Sequence, residues 1–178
     1  MATATEQMVN VRVPSEDDFD GADFLTDEVL EAVCWDVVRE YERLHVITDH
    51  DITLTAVWKR KGGKSQGNAV LAKCVKTSGL ARFFGAYQFV IWLAADHLDA
   101  EQYTAEQLRR LLYHEARHIG WAEPNDINED GEGKPIIVGH DLELFAGEVS
   151  DTGAWESFRR RVGGEFRQPT LFGAEGES

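Results

Sequence analysis

The chain has 178 residues, 43% of them hydrophobic, with 18 Lys and Arg against 32 Asp and Glu for a net charge of −14. The length suits one domain with short tails, and the apolar share excludes wholesale disorder. The charge argues against DNA binding through a basic face of the folded domain and favours basic partners or substrates.

Residues 1–24 are polar and acidic, with Glu16, Asp17, Asp18, Asp20 and Asp23, and are expected to form a flexible arm with one short strand at Val9 to Val13. The N-terminus has neither a basic start nor an apolar core, so no secretion signal is read there. Thr26 is the expected N-cap of a first helix running from about Asp27 to Leu44. Within it Val29, Leu30, Val33, Val37, Tyr41 and Leu44 recur at helical spacing. Ile52 to Trp58 and Ala69 to Val75 read as strands joined by a glycine-containing hairpin loop. Tyr87 to Ala95 is a third strand, apolar enough to hold the centre of a small sheet. Its apolar run is far too short to span a bilayer, so a cytoplasmic protein is expected. Cys34 and Cys74 sit in apolar surroundings and read as buried free thiols.

Thr104 and Gln107 form a capping box that opens a helix expected to run to about Ala122. A polar loop, a short extended piece at Ile136 to Val138, and helices at about His140–Ser150 and Ala154–Arg161 follow. The domain is expected over residues 25–161, with a disordered tail over 162–178. The fold class expected is α+β, a small three- to four-stranded sheet packed on the N-terminal helix and on the helix after Thr104.

That second helix carries His114-Glu115-Ala116-Arg117-His118, an H-E-x-x-H pattern. Residues four apart on a helix lie one above the other, so both imidazoles can reach one ion. Glu115 points to the neighbouring side, close to a water on that ion without binding the ion itself. Two neutral nitrogens suit Zn²⁺, and a catalytic site needs a third protein ligand and an open position. Leu108, Leu111, Leu112, Ile119 and Ala122 define the buried arc; Glu115 falls inside it, and a carboxylate there costs free energy unless it has a partner or a job. Arg109, Arg110 and Arg117 fall on the opposite face.

Trp121 and Pro124 exclude the longer metzincin pattern. The favoured third ligand is His140, with Glu143 next. Asp141 either accepts a hydrogen bond from a ligand imidazole or sits as a carboxylate at a helix start. Tyr113, Tyr87 and His97 are all candidates to stabilise the tetrahedral intermediate, and the sequence does not choose among them. An extended substrate can pair with a sheet edge, and Tyr87 to Ala95 is the strand expected to offer it.

On the motifs His114-Glu115-x-x-His118 and His140-Asp141-x-x-x-Phe145, over roughly residues 26–150, the chain resembles minimal zincin metallopeptidases. It is similar to SprT-like proteases and, more closely, to the metallopeptidases of bacteriophage genomes. The resemblance implies His114, His118 and His140 as zinc ligands and Glu115 as catalytic base of a peptide-bond hydrolysis. The substrate is not implied. The alternatives are a non-catalytic acidic interaction or inhibitor protein that keeps zinc for structure, and a hydrolase of a non-peptide amide.

Two weaker signals remain. Asp126-x-Asn128-x-Asp130-Gly131 matches half of a Ca²⁺ loop, but Pro135 and Ile137 stand where the rest of it needs other residues, so a turn-rich loop is expected. Gln168-Pro169-Thr170-Leu171-Phe172 resembles the peptides by which bacterial proteins dock on the sliding clamp: Leu171 and Phe172 as apolar anchors, Gln168 at the rim. Its alternative is a tail patch folded back on the domain. No membrane partner is expected.

Overall fold

The structure, a computed structural model, describes residues 11–65, 67–123 and 133–139. All fall in the first of two compact units, Met1–Phe145. The expected site residues His140, Asp141 and Glu143, the half Ca²⁺ loop, both later helices and the Gln168, Leu171 and Phe172 motif lie outside the described residues.

A four-stranded sheet is built from β1 (Phe24–Thr26), β2 (Leu54–Lys59), β5 (Ala72–Lys76) and β6 (Phe89–Ala94), in the order β1-β2-β6-β5. Two small antiparallel ribbons accompany it: β3 (Lys64–Ser65) with β4 (Asn68–Ala69), and β7 (Ile119–Ala122) with β8 (Lys134–Ile137). The helices are α1 (Glu28–Glu40), α2 (His45–Asp49), α3 (Gly79–Phe84), α4 (Ala95–Ala100) and α5 (Ala105–Ala116). The α+β class and the two packing helices are as expected. α1 packs on β2 and α5, and α5 on β5 and β6.

Alternation along the strands makes this a sheet with one dry face. Leu54, Ala56 and Trp58 of β2, Phe89, Ile91 and Leu93 of β6, and Ala72 and Cys74 of β5 are buried. They meet Leu30, Val33, Cys34, Val37 and Val38 of α1 and Leu108, Leu111 and Leu112 of α5. Burial pushes the Cys34 thiol up to about 12, with Glu31 adding to it. Burial also raises Cys74, helped by Glu115 and then by Cys34. Both thiols are inert protonated core groups.

Several expectations are corrected. β2 and β5 do not form a hairpin: β6 lies between them, parallel to β2 and antiparallel to β5. Burial decides the neighbour here, since the almost wholly apolar β6 takes the interior while β5, carrying exposed Lys73 and Lys76, takes the margin. The hairpin in the connection is only the β3–β4 ribbon. Residues 11–13 form no strand. In the segment expected as an arm, Glu16–Phe19 make a 3-10 turn that buries Phe19, and β1 pairs with β2.

The first helix starts one residue later than expected, because Thr26 is paired with Val57 in the sheet. Asp27 caps it instead: its Oδ1 accepts from the Val29 and Leu30 amides at 2.9 and 3.3 Å, and its Oδ2 accepts from Trp58 Nε1 at 3.0 Å. One carboxylate thus caps α1 and satisfies a fully buried indole. Asp27→Ala is expected to cost about 2–4 kcal/mol, from loss of the cap and from an unsatisfied N–H. The shift of the denaturant midpoint measures it, and Asp27→Asn should lose less. The helix also ends early, at Glu40, and the chain continues as a 3-10 turn (Glu42–Leu44) and α2.

Candidate metal centre

α5 begins as the sequence indicates. The Thr104 hydroxyl accepts from the Gln107 amide at 3.3 Å, and the Gln107 side-chain oxygen accepts from the Thr104 amide at 2.8 Å. It ends sooner, at Ala116, so Ile119 to Ala122 belong to a strand and not to the expected helix. Gly120 is the signal that marks the stop, a poor helix former set among residues that suit a strand. A Cβ at Gly120 would lie 2.5 Å from Val138 Cγ2, so the glycine is what lets β7 and the chain after β8 approach.

The motif therefore straddles a helix end. Arg117 N–H still donates to the Tyr113 carbonyl in the helical manner, and His118 N–H donates to the Glu115 carbonyl one residue tighter, both at 3.1 Å. The two imidazoles nonetheless meet: the His114 and His118 ring centres are 5.5 Å apart and the planes are 84° to one another. Two imidazoles on one tetrahedral ion, with nitrogen–metal distances of about 2.0–2.1 Å, have their ring centres about 5 Å apart. The observed separation is of that order.

His118 is oriented from outside the helix. Its Nδ1 lies 2.7 Å from the Val138 carbonyl oxygen, and the Val138 amide donates to the His118 carbonyl at 2.8 Å. With Nδ1–H donating to that carbonyl, the ring carries its lone pair on Nε2, the tautomer a metal ligand needs. A backbone carbonyl behind a histidine leaves no sequence signal, and sequence reasoning missed it. Gly120→Val should push Val138 away and loosen this ring. The expected result is a fall in metal affinity of about 10–100-fold, the usual loss when an outer hydrogen-bond partner of a ligand is disturbed, read by competition with a chromogenic chelator.

Glu115 is 6% exposed and lies on the buried face of α5 as the periodicity indicates, and His114, expected at the edge of the apolar arc, is 8% exposed. Glu115 Oε2 accepts from the Cys74 backbone amide at 2.7 Å. That amide belongs to β5, the margin of the sheet, so the carboxylate is held beside a sheet edge. Lys76, two residues on, donates through Nζ to the Pro135 carbonyl at 2.5 Å and ties β5 to β8. The edge strand beside the motif is β5; the strand expected for that place, Tyr87 to Ala95, contains β6 and is interior.

The three candidates for stabilising an oxyanion stand in different surroundings. Tyr113 is fully buried with its ring against Tyr41, at 4.3 Å between centres. Tyr87 is exposed, its hydroxyl 3.5 Å from Glu31 Oε1. His97 Nε2 lies 3.3 Å from the Gly63 carbonyl oxygen. Arg109 is not on a solvated face: it pairs with Glu40 of α1, and burial pulls its pKa down, opposed by Asp36.

Among the described residues, no group of three or more His, Cys, Asp or Glu converges on a point that could hold a metal ion. Within them the candidate ligand set is His114 and His118. No helix among them is long and apolar enough to cross a membrane.

No curated protein and no solved structure matches the chain. The sequence profile of the family described as "Putative phage metallopeptidase" matches residues 22–163, which includes every residue of the motif and of the sheet. A metallopeptidase family implies a peptidase with a metal cofactor, in agreement with the paired imidazoles. The chain belongs to this phage metallopeptidase family.

Proposed function

We propose that the protein is a zinc-dependent peptidase in which His114, His118 and His140 hold the ion and Glu115 is the general base. The observation that carries this reading is the pair of imidazoles 5.5 Å apart, one fixed by the Val138 carbonyl, with Glu115 on the intervening turn. Bound there, Zn²⁺ supplies Lewis acidity that polarises a scissile carbonyl and eases deprotonation of water.

The chain's own residues do the rest. Glu115, anchored by the Cys74 amide, takes a proton from the attacking water and passes it to the leaving amine. Its position on the buried face keeps it out of bulk water, where its basicity would be spent on solvent. β5 offers an extended substrate an edge to pair with, directly beside that carboxylate.

His140 is favoured as third ligand because it follows Val138 by two residues, and Val138 is bonded to His118 through both its backbone groups.

The test is cleavage of a disordered protein. Chelation should abolish it, and one equivalent of Zn²⁺ should restore it. His140→Ala should lower bound zinc measurably; unchanged zinc would transfer the third position to Glu143. A chelated protein that cuts as fast as the untreated one would end the reading.

A further inference from the structure

Residues 52–95 contain seven Lys and Arg and no Asp or Glu, while the remainder of the chain carries eleven against all thirty-two carboxylates. The net charge of −14 therefore says nothing about this segment, which builds β2 to β6 and includes both the edge strand β5 and α3. Arg60 and Lys61 are met by Glu16, and Arg60 also by Asp23. Lys73, Lys76 and Arg82 are exposed and pair with no carboxylate among the described residues, and of the three Lys76 is tied to the Pro135 carbonyl.

Around Arg82, α3 shows water an unusual set of side chains. Leu80 is 72% exposed, Phe83 81% and Phe84 80%. None contributes to the core among the described residues, and exposed apolar side chains grouped in this way mark a contact surface. Val75 and Tyr87, which precede and follow α3 in the chain, are exposed as well.

This patch continues the strand that holds Glu115. The Cys74 amide meets Glu115; the ladder runs on to Thr77, whose amide donates to the Gln88 carbonyl; Ser78 then caps α3. Four residues of strand separate Cys74 from Ser78, about 13 Å at the usual rise. A polypeptide added antiparallel to β5, with its scissile bond at Glu115, would bring residues about four positions upstream of the cut onto α3.

We propose that α3, with Lys73 and Arg82, recognises substrate segments that combine large apolar side chains with Asp or Glu, upstream of the cleaved bond. The proposal rests on the peptidase reading and narrows its substrate: local charge here favours acidic segments, opposite to what the whole-chain charge suggests. A polypeptide suits the patch better than a nucleic acid. Phe83 and Phe84 pack edge to face, at 90° and 5.2 Å between centres, and aliphatic Leu80 joins them. That arrangement grips side chains; stacking of successive bases calls for open aromatic faces.

The test uses two quenched fluorescent peptides identical from two residues before the cut onward. One carries leucine, aspartate and phenylalanine three to five positions upstream; the other carries glycine, lysine and serine. The full zinc-loaded chain should cleave the first with kcat/KM at least about tenfold higher, mainly through KM. Arg82→Glu and the Phe83→Ser/Phe84→Ser double substitution should each erase the preference. Glu115→Gln should show the same preference in binding, by fluorescence anisotropy, with no cleavage. Equal cleavage or equal binding of the two peptides would overturn the proposal while leaving the peptidase reading intact. Preferential binding without any cleavage by the native chain would do the reverse. Tighter binding of a labelled single-stranded oligonucleotide than of the acidic peptide, lost in the phenylalanine variant, would also overturn it by giving the surface to a polyanion.

Discussion

Glu115→Gln should stay folded, keep its full complement of metal and lose about two to four orders of magnitude in peptide cleavage, the usual contribution of a positioned general base. The structure explains why the substitution separates chemistry from architecture. Glu115 is buried, and one of its oxygens satisfies the Cys74 amide of the edge strand. The glutamine carbonyl oxygen can accept the same bond, so β5 and α5 stay in register. What disappears is basicity. Glu115→Ala is a different experiment: it strands the Cys74 amide in a dry contact and should also cost about 1–3 kcal/mol of stability. Single-turnover cleavage beside denaturant unfolding of both variants checks the distinction. Loss of activity in Gln that merely tracked loss of stability would mean that Glu115 is structural.

His114→Ala and His118→Ala should each release the ion, lowering affinity by more than the roughly 10–100-fold that loss of an outer partner costs. The two should differ in their effect on the fold. His114 is buried, so its removal opens space in the packed interface of α5. His118 stands in the turn after the helix and is bonded to Val138, so its removal loosens the chain after β8. Metal analysis after dialysis, with hydrogen exchange over residues 133–139, resolves both. The native chain should gain stability with added zinc by linkage, and neither variant should.

Local signals read through well. The Thr104 and Gln107 capping box, the buried arc of α5 and the position of Glu115 within it all depend on residues a few positions apart, where spacing alone fixes geometry. The boundaries failed wherever a second element competed for the same residues. Thr26 looks like a cap but is drawn into β1, and Asp27 takes over with a second bond to Trp58. Ile119 and Ala122 continue the apolar arc on a helical wheel and are equally buried in β7, so only Gly120 distinguishes the two. Strand order was not legible, because the partner of β5 is set by burial across the sheet and not by loop length. α3 escaped notice since its apolar side chains face water and leave no amphipathic pattern. The two contacts that best position the site use the Cys74 amide and the Val138 carbonyl, groups every residue has.

Cobalt substitution reports on the pair of imidazoles themselves. The native chain should bind one equivalent of Co²⁺ with intense visible bands of low coordination number. Glu115→Gln should leave those bands in place, and the His114→Ala/His118→Ala double variant should lose them. Bands of unchanged position and intensity in the double variant would place the ion elsewhere and contradict the site described here.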